Sequence, residues 1–437
     1  MTTDTSWRRD REGLGIWSGR GKSAIAGWGQ SPADRRWDGV SMDKTLGAYA
    51  ILAANQALED AGLKAEDVDG LIVCPESMAG PTGGTSAVWA PRPYFAAPYD
   101  SEDGLTIVTN KWMLANMHLP NVTYAPDEVP AIGEQMGMAA DAVATGKCKV
   151  ALVIYTAGNL PGRYRMGGPN LAAEVTGAAQ WTQVYGQGGL GYTTALIMQE
   201  YCTKYGVDWD ETLGPLVVNQ HRNGLMHAWS YYTLHEPYQL TLDDYKNSRF
   251  ITWPQRIWDC DRPVNAVGAF VFVTAEHARD LKQKPIYVLN HNQGSGGPLR
   301  SSSPVLAEME SWVQAAARMA YEGSGLRPQD VDVFNPYDGY LPFMPISLES
   351  FGWHGAKQGD AKDFFNGDIT VEGPHPFSSG GGNLGVGRTR TAMYIDSIEQ
   401  LRGAAGDRQI SLKAETAICA FAPGGSQAYL CLATELD

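Results

Sequence analysis

The chain has no run of eighteen or more apolar residues, no cluster of five or more basic side chains and no CxxC pair. Each absence closes a class of function. Without a long apolar run no membrane-spanning helix is expected. With 34 Lys and Arg against 48 Asp and Glu, a formal charge of −14, the field of the whole molecule repels polyanions, so nucleic acid is not an expected partner. The six cysteines, Cys74, Cys148, Cys202, Cys260, Cys419 and Cys431, follow no metal-ligand spacing. They read as structural thiols of a reduced, cytoplasmic protein with no metal site. The opening residues MTTDTSWRRDRE have no apolar segment behind them, so no secretory signal is expected.

What is present is a chain of 437 residues, 43% hydrophobic and 19% charged, long enough for two or three cores. Apolar runs at 23–31, 68–77, 149–157, 268–277, 285–293 and 331–338 read as strands. Helical spacing marks 43–61, 131–145, 308–322 and 342–351, the first closed by Gly62 in a left-handed cap. Residues 416–435 read as a terminal hairpin. This alternation of strand, helix and strand predicts an α/β protein with a parallel, doubly covered sheet. The boundaries follow: an extension over 1–22, a first half over 23–157 and 241–282, and a second half over 283–437. The aromatic, glycine-spaced stretch 158–240 is expected to be a loop or cap region over the pocket.

Chemistry is expected at NPYDGYLPF (335–343), where Asn335–Gly339 forms the turn at the carboxyl end of the VDVF strand. Open α/β folds place ligands at such ends. Tyr337 can be read as a strand-end tyrosine with its ring in the core and its hydroxyl wet. It can also be read as an acid or base, which requires its phenol to be shifted from about 10 or to act through a relay. Arg388, in SSGGGNLGVGRTR (378–390), could be the cation that favours the phenolate. It could equally hold its loop by bonding carbonyls. The glycines of this loop, Gly380, Gly381 and Gly382, expose amides that can line an oxyanion site. His291, His354 and His375 lie in segments that could approach the pocket. Asp259 and Asp261 read as turn residues before the strand that closes the first half.

LTLDDYKNSRFITWPQRIWDCDRPVNAVGAFVFVTAEHA (240–278) and HPFSSGGGNLGVGRTRT (375–391) resemble the thiolase superfamily, in its lipid-transfer branch related to sterol carrier protein x. The resemblance implies a thiolase-like fold, two similar βαβ halves packed as a layered αβαβα core. Members that work through an acyl-enzyme carry a cysteine at the start of the helix leading into AVATGKCKVALV (142–153), and that position here is Val129. Their second cysteine falls at Phe421 or Ala422. Valine cannot attack a thioester.

Tyr337-Asp338-Gly339-Tyr340 resembles the Tyr-Asp-x-Phe motif of the steroid side-chain-cleaving aldolases, and Gly387-Arg388 stands where those enzymes carry Gly-Tyr. Arg390 stands where some relatives have histidine. The resemblance implies a retro-aldol lyase acting on a β-hydroxyacyl-CoA. Tyr337 would be base or relay, Asp338 its orienting partner, and Arg388 the enolate stabiliser, with Tyr340, His354, Gly380–Gly382 and Gly387 around the substrate. It also implies a homodimer core joined by a separate OB-fold, zinc-ribbon, acyl-CoA-binding subunit, zinc being expected only there, as a heterotetramer. Coenzyme A enters as part of the substrate, and no cofactor is expected in this chain. A non-catalytic subunit or lipid-binding protein, or a cysteine-independent acyltransferase or condensing enzyme, remain the alternatives.

Overall fold

The computed structural model describes residues 5–74, 104–105, 107–127, 129, 132–159, 180–181, 190–293, 305–421 and 428–436. The parts of the expected strand, loop and hairpin at 75–77, 160–179, 182–189 and 422–427 lie outside them.

The first half runs β1 (Ser23–Gln30), α1 (Leu46–Ala61), β2 (Gly70–Cys74), α2 (Asn110–Asn116), α3 (Ile132–Ala144) and β3 (Val150–Ala157). An excursion follows, with α4 (Leu190–Tyr205), α5 (Trp209–Gly224), α6 (Tyr231–His235), α7 (Leu242–Lys246) and a small hairpin of β4 (Phe250–Thr252) and β5 (Gln255–Arg256). β6 (Ala266–Thr274) and α8 (Ala275–Ala278) close this half. The second half runs β7 (Ile286–Gln293), α9 (Leu306–Ser324), β8 (Val333–Asn335), α10 (Phe343–Phe351), α11 (Ala361–Phe365), α12 (Gly382–Val386), α13 (Ala392–Arg402), β9 (Thr416–Phe421) and β10 (Ala428–Ala433).

Helix α1 shows why these sequences fold as they do. The Thr45 side chain accepts the Ala48 amide at its start, and Gly62, at φ 74, takes the left-handed cap and bonds the Glu59 and Leu58 carbonyls. Between them Leu46, Ala50, Ala53, Ala54, Ala57 and Leu58 form a buried stripe.

Eight of the described strands form one mixed sheet in the order β2-β3-β6-β1-β7-β10-β9-β8. Its two halves mirror each other about the β1–β7 junction, which is only two residue pairs long, Ala24 with Tyr287 and Ile25 with Ile286. The expected parallel sheet is corrected. Among the described strands only β2–β3 and β8–β9 are parallel, because β6 and β10 return antiparallel between their neighbours. Helix α3 packs against strands of both halves, and one core joins α3 and α13 to Ile25, Phe270, Ile286 and Leu430. On the opposite face α1 covers the first half-sheet and α9 the second. The succession α1, half-sheet, α3 and α13, half-sheet, α9 is the αβαβα arrangement.

The stretch 158–240, read as loop, holds two sixteen-residue helices, α4 and α5. α5 starts on an Asp208 cap and buries Leu213, Leu216, Val217 and Gln220. It packs on α12, which places a helix behind the glycine loop.

Candidate active site

Strand β8 stops at Asn335, and the next residues turn into the first turn of α10 at Pro342. The turn is pinned from two sides. On one side it is zipped to residues 259–262: Cys260 and Tyr340 form a β-bridge, the Asp261 amide reaches the Gly339 carbonyl at 3.4 Å, and the Leu341 amide reaches the Asp259 carbonyl at 3.2 Å. On the other side Asp338, wholly buried, accepts the Asn383 amide at 2.8 Å, the Leu384 amide at 2.9 Å and Gln220 Nε2 at 3.0 Å. Gly382 has φ 57, and a Cβ there would stand 2.1 Å from Asp338 Oδ2. Only glycine lets the loop approach the carboxylate so closely. Burial pushes the Asp338 carboxyl up to about 7; the Leu384 and Asn383 amides oppose this, and the nearby Asp261 charge adds to it.

Tyr337 is 4% exposed, and its ring folds back over the turn. A Cβ on Gly339 would meet Tyr337 Oη at 2.1 Å and Asp261 Oδ2 at 2.8 Å, so phenol and carboxylate converge on one point. Arg388 Nε stands 3.8 Å from Asp261 Oδ2, and the Arg388 amide donates to the Arg262 carbonyl at 2.7 Å. Gly387, at φ 92, makes the turn that carries Arg388 to this segment. The Tyr340 hydroxyl is held well above its ordinary range, first by burial and then by Asp261, against the opposing pull of Arg388. Tyr337, Tyr340, Asp261 and Arg388 therefore form one cluster at the carboxyl end of β8. Asp261 read from the sequence as a turn residue, and its DCDRP context carries no sign of this contact.

The other expected site residues lie elsewhere. The Gly381 amide donates to the Ser378 carbonyl at 3.0 Å, and the nearby amides that face a carboxylate are those of Asn383 and Leu384, already on Asp338. Gly380 packs on Asp396, and its carbonyl meets His227 Nε2 at 3.0 Å. The triplet thus anchors the loop to α5 and α13. His354 is exposed, with its Nδ1 3.3 Å from that of His375. Its neighbour Trp353 donates to the Val331 carbonyl, at the end of β8 opposite Tyr337. His291 is buried against Trp17, its imidazole pushed down to about 3 by burial and Arg9. Among the described residues no group of three or more His, Cys, Asp and Glu side chains could hold a metal, and no helix is long and apolar enough to cross a membrane.

The Thiolase C-terminal domain-like family matches residues 300–429. A steroid side-chain-cleaving aldolase of Thermomonospora curvata is 28% identical over 380 residues, covering 84% of this chain and 86% of that one. A 17-hydroxy-3-oxo-4-pregnene-20-carboxyl-CoA lyase of Mycobacterium tuberculosis is 36% identical over 169 residues, 38% of this chain and 43% of that one. Among solved structures the Ltp2-ChsH2(DUF35) aldolase superposes with a TM-score of 0.74 at 24% identity, covering 95% of this chain and 98% of that one. An acetyl-CoA acetyltransferase from Syntrophomonas wolfei superposes at 0.60 with 15% identity, covering 95% and 100%.

The C-terminal part of the chain is similar to the thiolase family, and most of its length is similar to a steroid side-chain-cleaving aldolase. Val129, the position expected from the resemblance to hold the nucleophile, packs against the same core as Tyr155 and Tyr337. Of the positions for the second cysteine, Ala422 lies outside the described residues and Phe421 ends β9. Cys419 is fully buried, with burial pushing its thiol up. The site at the carboxyl end of β8 offers a phenol, two carboxyl groups and an arginine.

Proposed function

We propose that this chain is an acyl-CoA-dependent carbon–carbon lyase, which cleaves a β-hydroxyacyl-CoA by a retro-aldol reaction into a ketone and a shorter acyl-CoA. The names of its aldolase and CoA-lyase relatives support this class and point to a steroid side chain as the substrate. The observation that carries the reading is the gathering of Tyr337, Asp261 and Arg388 at the carboxyl end of β8, and valine at the position expected for the nucleophile, Val129, supports it.

A retro-aldol needs no covalent intermediate. The β-hydroxyl gives its proton to Tyr337, acting as its phenolate, as the new C=O forms. The Cα–Cβ bond breaks, and its electron pair passes into the thioester as an enolate. A proton returned to Cα then completes the acyl-CoA. Arg388 offsets the negative charge of Asp261 beside the phenolate, which favours the ionised tyrosine before it takes the proton. Tyr340 fills the wall beside Tyr337, and Asp338 holds the turn that carries both.

The partnership belongs to the same proposal: a homodimer core completed by an OB-fold, zinc-ribbon subunit that holds the coenzyme A phosphates. The pairing named for the Ltp2-ChsH2(DUF35) aldolase supports it, as does the acidic balance of this chain, which disfavours binding phosphates unaided. The test is to purify the chain with and without such a partner and supply a tertiary β-hydroxyacyl-CoA. Ketone release that needs no acceptor and survives iodoacetamide is the expected result. Dependence on an acceptor would point to acyl transfer, and inertness of the complete complex would leave the chain a binding subunit.

A further inference from the structure

Arg390 has no role in the reading above. Its backbone sits at φ 61, a left-handed conformation that non-glycine residues avoid and that concentrates at functional sites. It is 7% exposed. Its amide donates to Asn383 Oδ1 at 2.8 Å, and its Nη1 donates to the Tyr155 hydroxyl, also at 2.8 Å. Tyr155 stands near the carboxyl end of β3, on the other half of the molecule from β8.

Arg388, Arg390 and Tyr155, with Ala157, Pro263 and Val264, line a cavity of about 10 Å³, room for a single water-sized group. The cavity adjoins the Tyr337 cluster, because Arg388 borders both it and Asp261. A space the size of one oxygen, walled by apolar side chains and two arginines, favours an oxygen that becomes negative while water is excluded. In a retro-aldol that atom is the thioester oxygen. The loop amides that could have served instead are committed, Gly381 to Ser378 and Asn383 and Leu384 to Asp338.

We propose that Arg390 is the cation that stabilises the thioester enolate oxygen, with Tyr155 positioning its guanidinium. This rests on the retro-aldol reading. In the complete complex, Arg390→Gln should lower kcat roughly 10²–10³-fold with KM little changed. Arg390→Lys, which keeps the charge, should recover part of the loss, and Tyr155→Phe should show a smaller fall in kcat with the same unchanged KM. A second arm needs no turnover: calorimetric binding of a coenzyme A thioether that ends in a nitronate, a planar anionic copy of the enolate, against the saturated thioether. Arg390→Gln should weaken the nitronate at least about tenfold, in line with a lost charged hydrogen bond, and leave the saturated compound unchanged. Wild-type protein that shows this binding difference yet cleaves no β-hydroxyacyl-CoA would remove the retro-aldol reading and keep the oxyanion site. Unchanged nitronate affinity in the Gln variant overturns the proposal. Equal weakening of both compounds together with a lowered Tm in the Gln and Lys variants also overturns it, since the arginine would then be structural.

Discussion

Replacing Asp338 with asparagine separates an anchor from a charged catalyst, and its signature lies in pH. Oδ1 receives the Asn383 amide, while Oδ2 receives Leu384 and Gln220. An NH₂ in either place confronts a donor, and the cheaper orientation leaves one buried N–H unmet, a cost of about 1–3 kcal/mol. The charge works in the other direction. The folded carboxyl is raised to about 7 from 3.8, so the folded state binds its proton more tightly than the unfolded chain does. Stability from this group is present at low pH and lost as pH rises through about 7; between pH 5 and pH 8 the loss is about 2–3 kcal/mol. Asparagine carries no such dependence. The destabilisation caused by Asp338→Asn, measured by urea unfolding, should therefore be about 2–3 kcal/mol larger at pH 5 than at pH 8. A difference that is constant across this range, or larger at pH 8, would show that the carboxylate is charged and well solvated by its donors, and the argument from burial would fail.

Tyr337→Phe should retain Tm and lower kcat by roughly 10²–10⁴-fold, whereas Tyr340→Phe should cost far less; steady-state kinetics beside thermal melts compare them. Gly339→Ala would push a methyl into the space of Tyr337 Oη and should reproduce the kinetic loss of the Phe variant, which circular dichroism would show to be without global unfolding. His221 is buried among Tyr232, Tyr238 and Trp258, and its imidazole is lowered from 6.5 to about 4, chiefly by burial. Its contribution is intact above pH 6.5 and lost as pH falls toward 4, about 2 kcal/mol by pH 5. His221→Phe should remove that part of the acid sensitivity in unfolding curves at pH 5 and pH 7.

Much of the scaffold was legible because burial leaves a period in the sequence. The α1 stripe and its Gly62 cap, the apolar run at 149–157 and the Pro342 start of α10 match the structure within a few residues. α5 escaped notice because Gly214, Pro215 and Gly224 interrupt a stripe that lies amid aromatic, glycine-spaced text. Its Gln220 is one of the three donors to Asp338.

The sequence by itself determined the two-half plan and the turn that carries Tyr337 and Asp338, since these depend on local pattern and residue identity. Strand direction was decided only in three dimensions, because an apolar run records burial and not the sense in which the chain crosses the sheet. So was the composition of the site. Asp261 meets Tyr337 through a β-bridge between segments far apart in the chain, and Arg390 meets Tyr155 across the two halves. Contacts between distant segments are fixed by how the half-sheets close around α3 and α13, which no local spacing encodes.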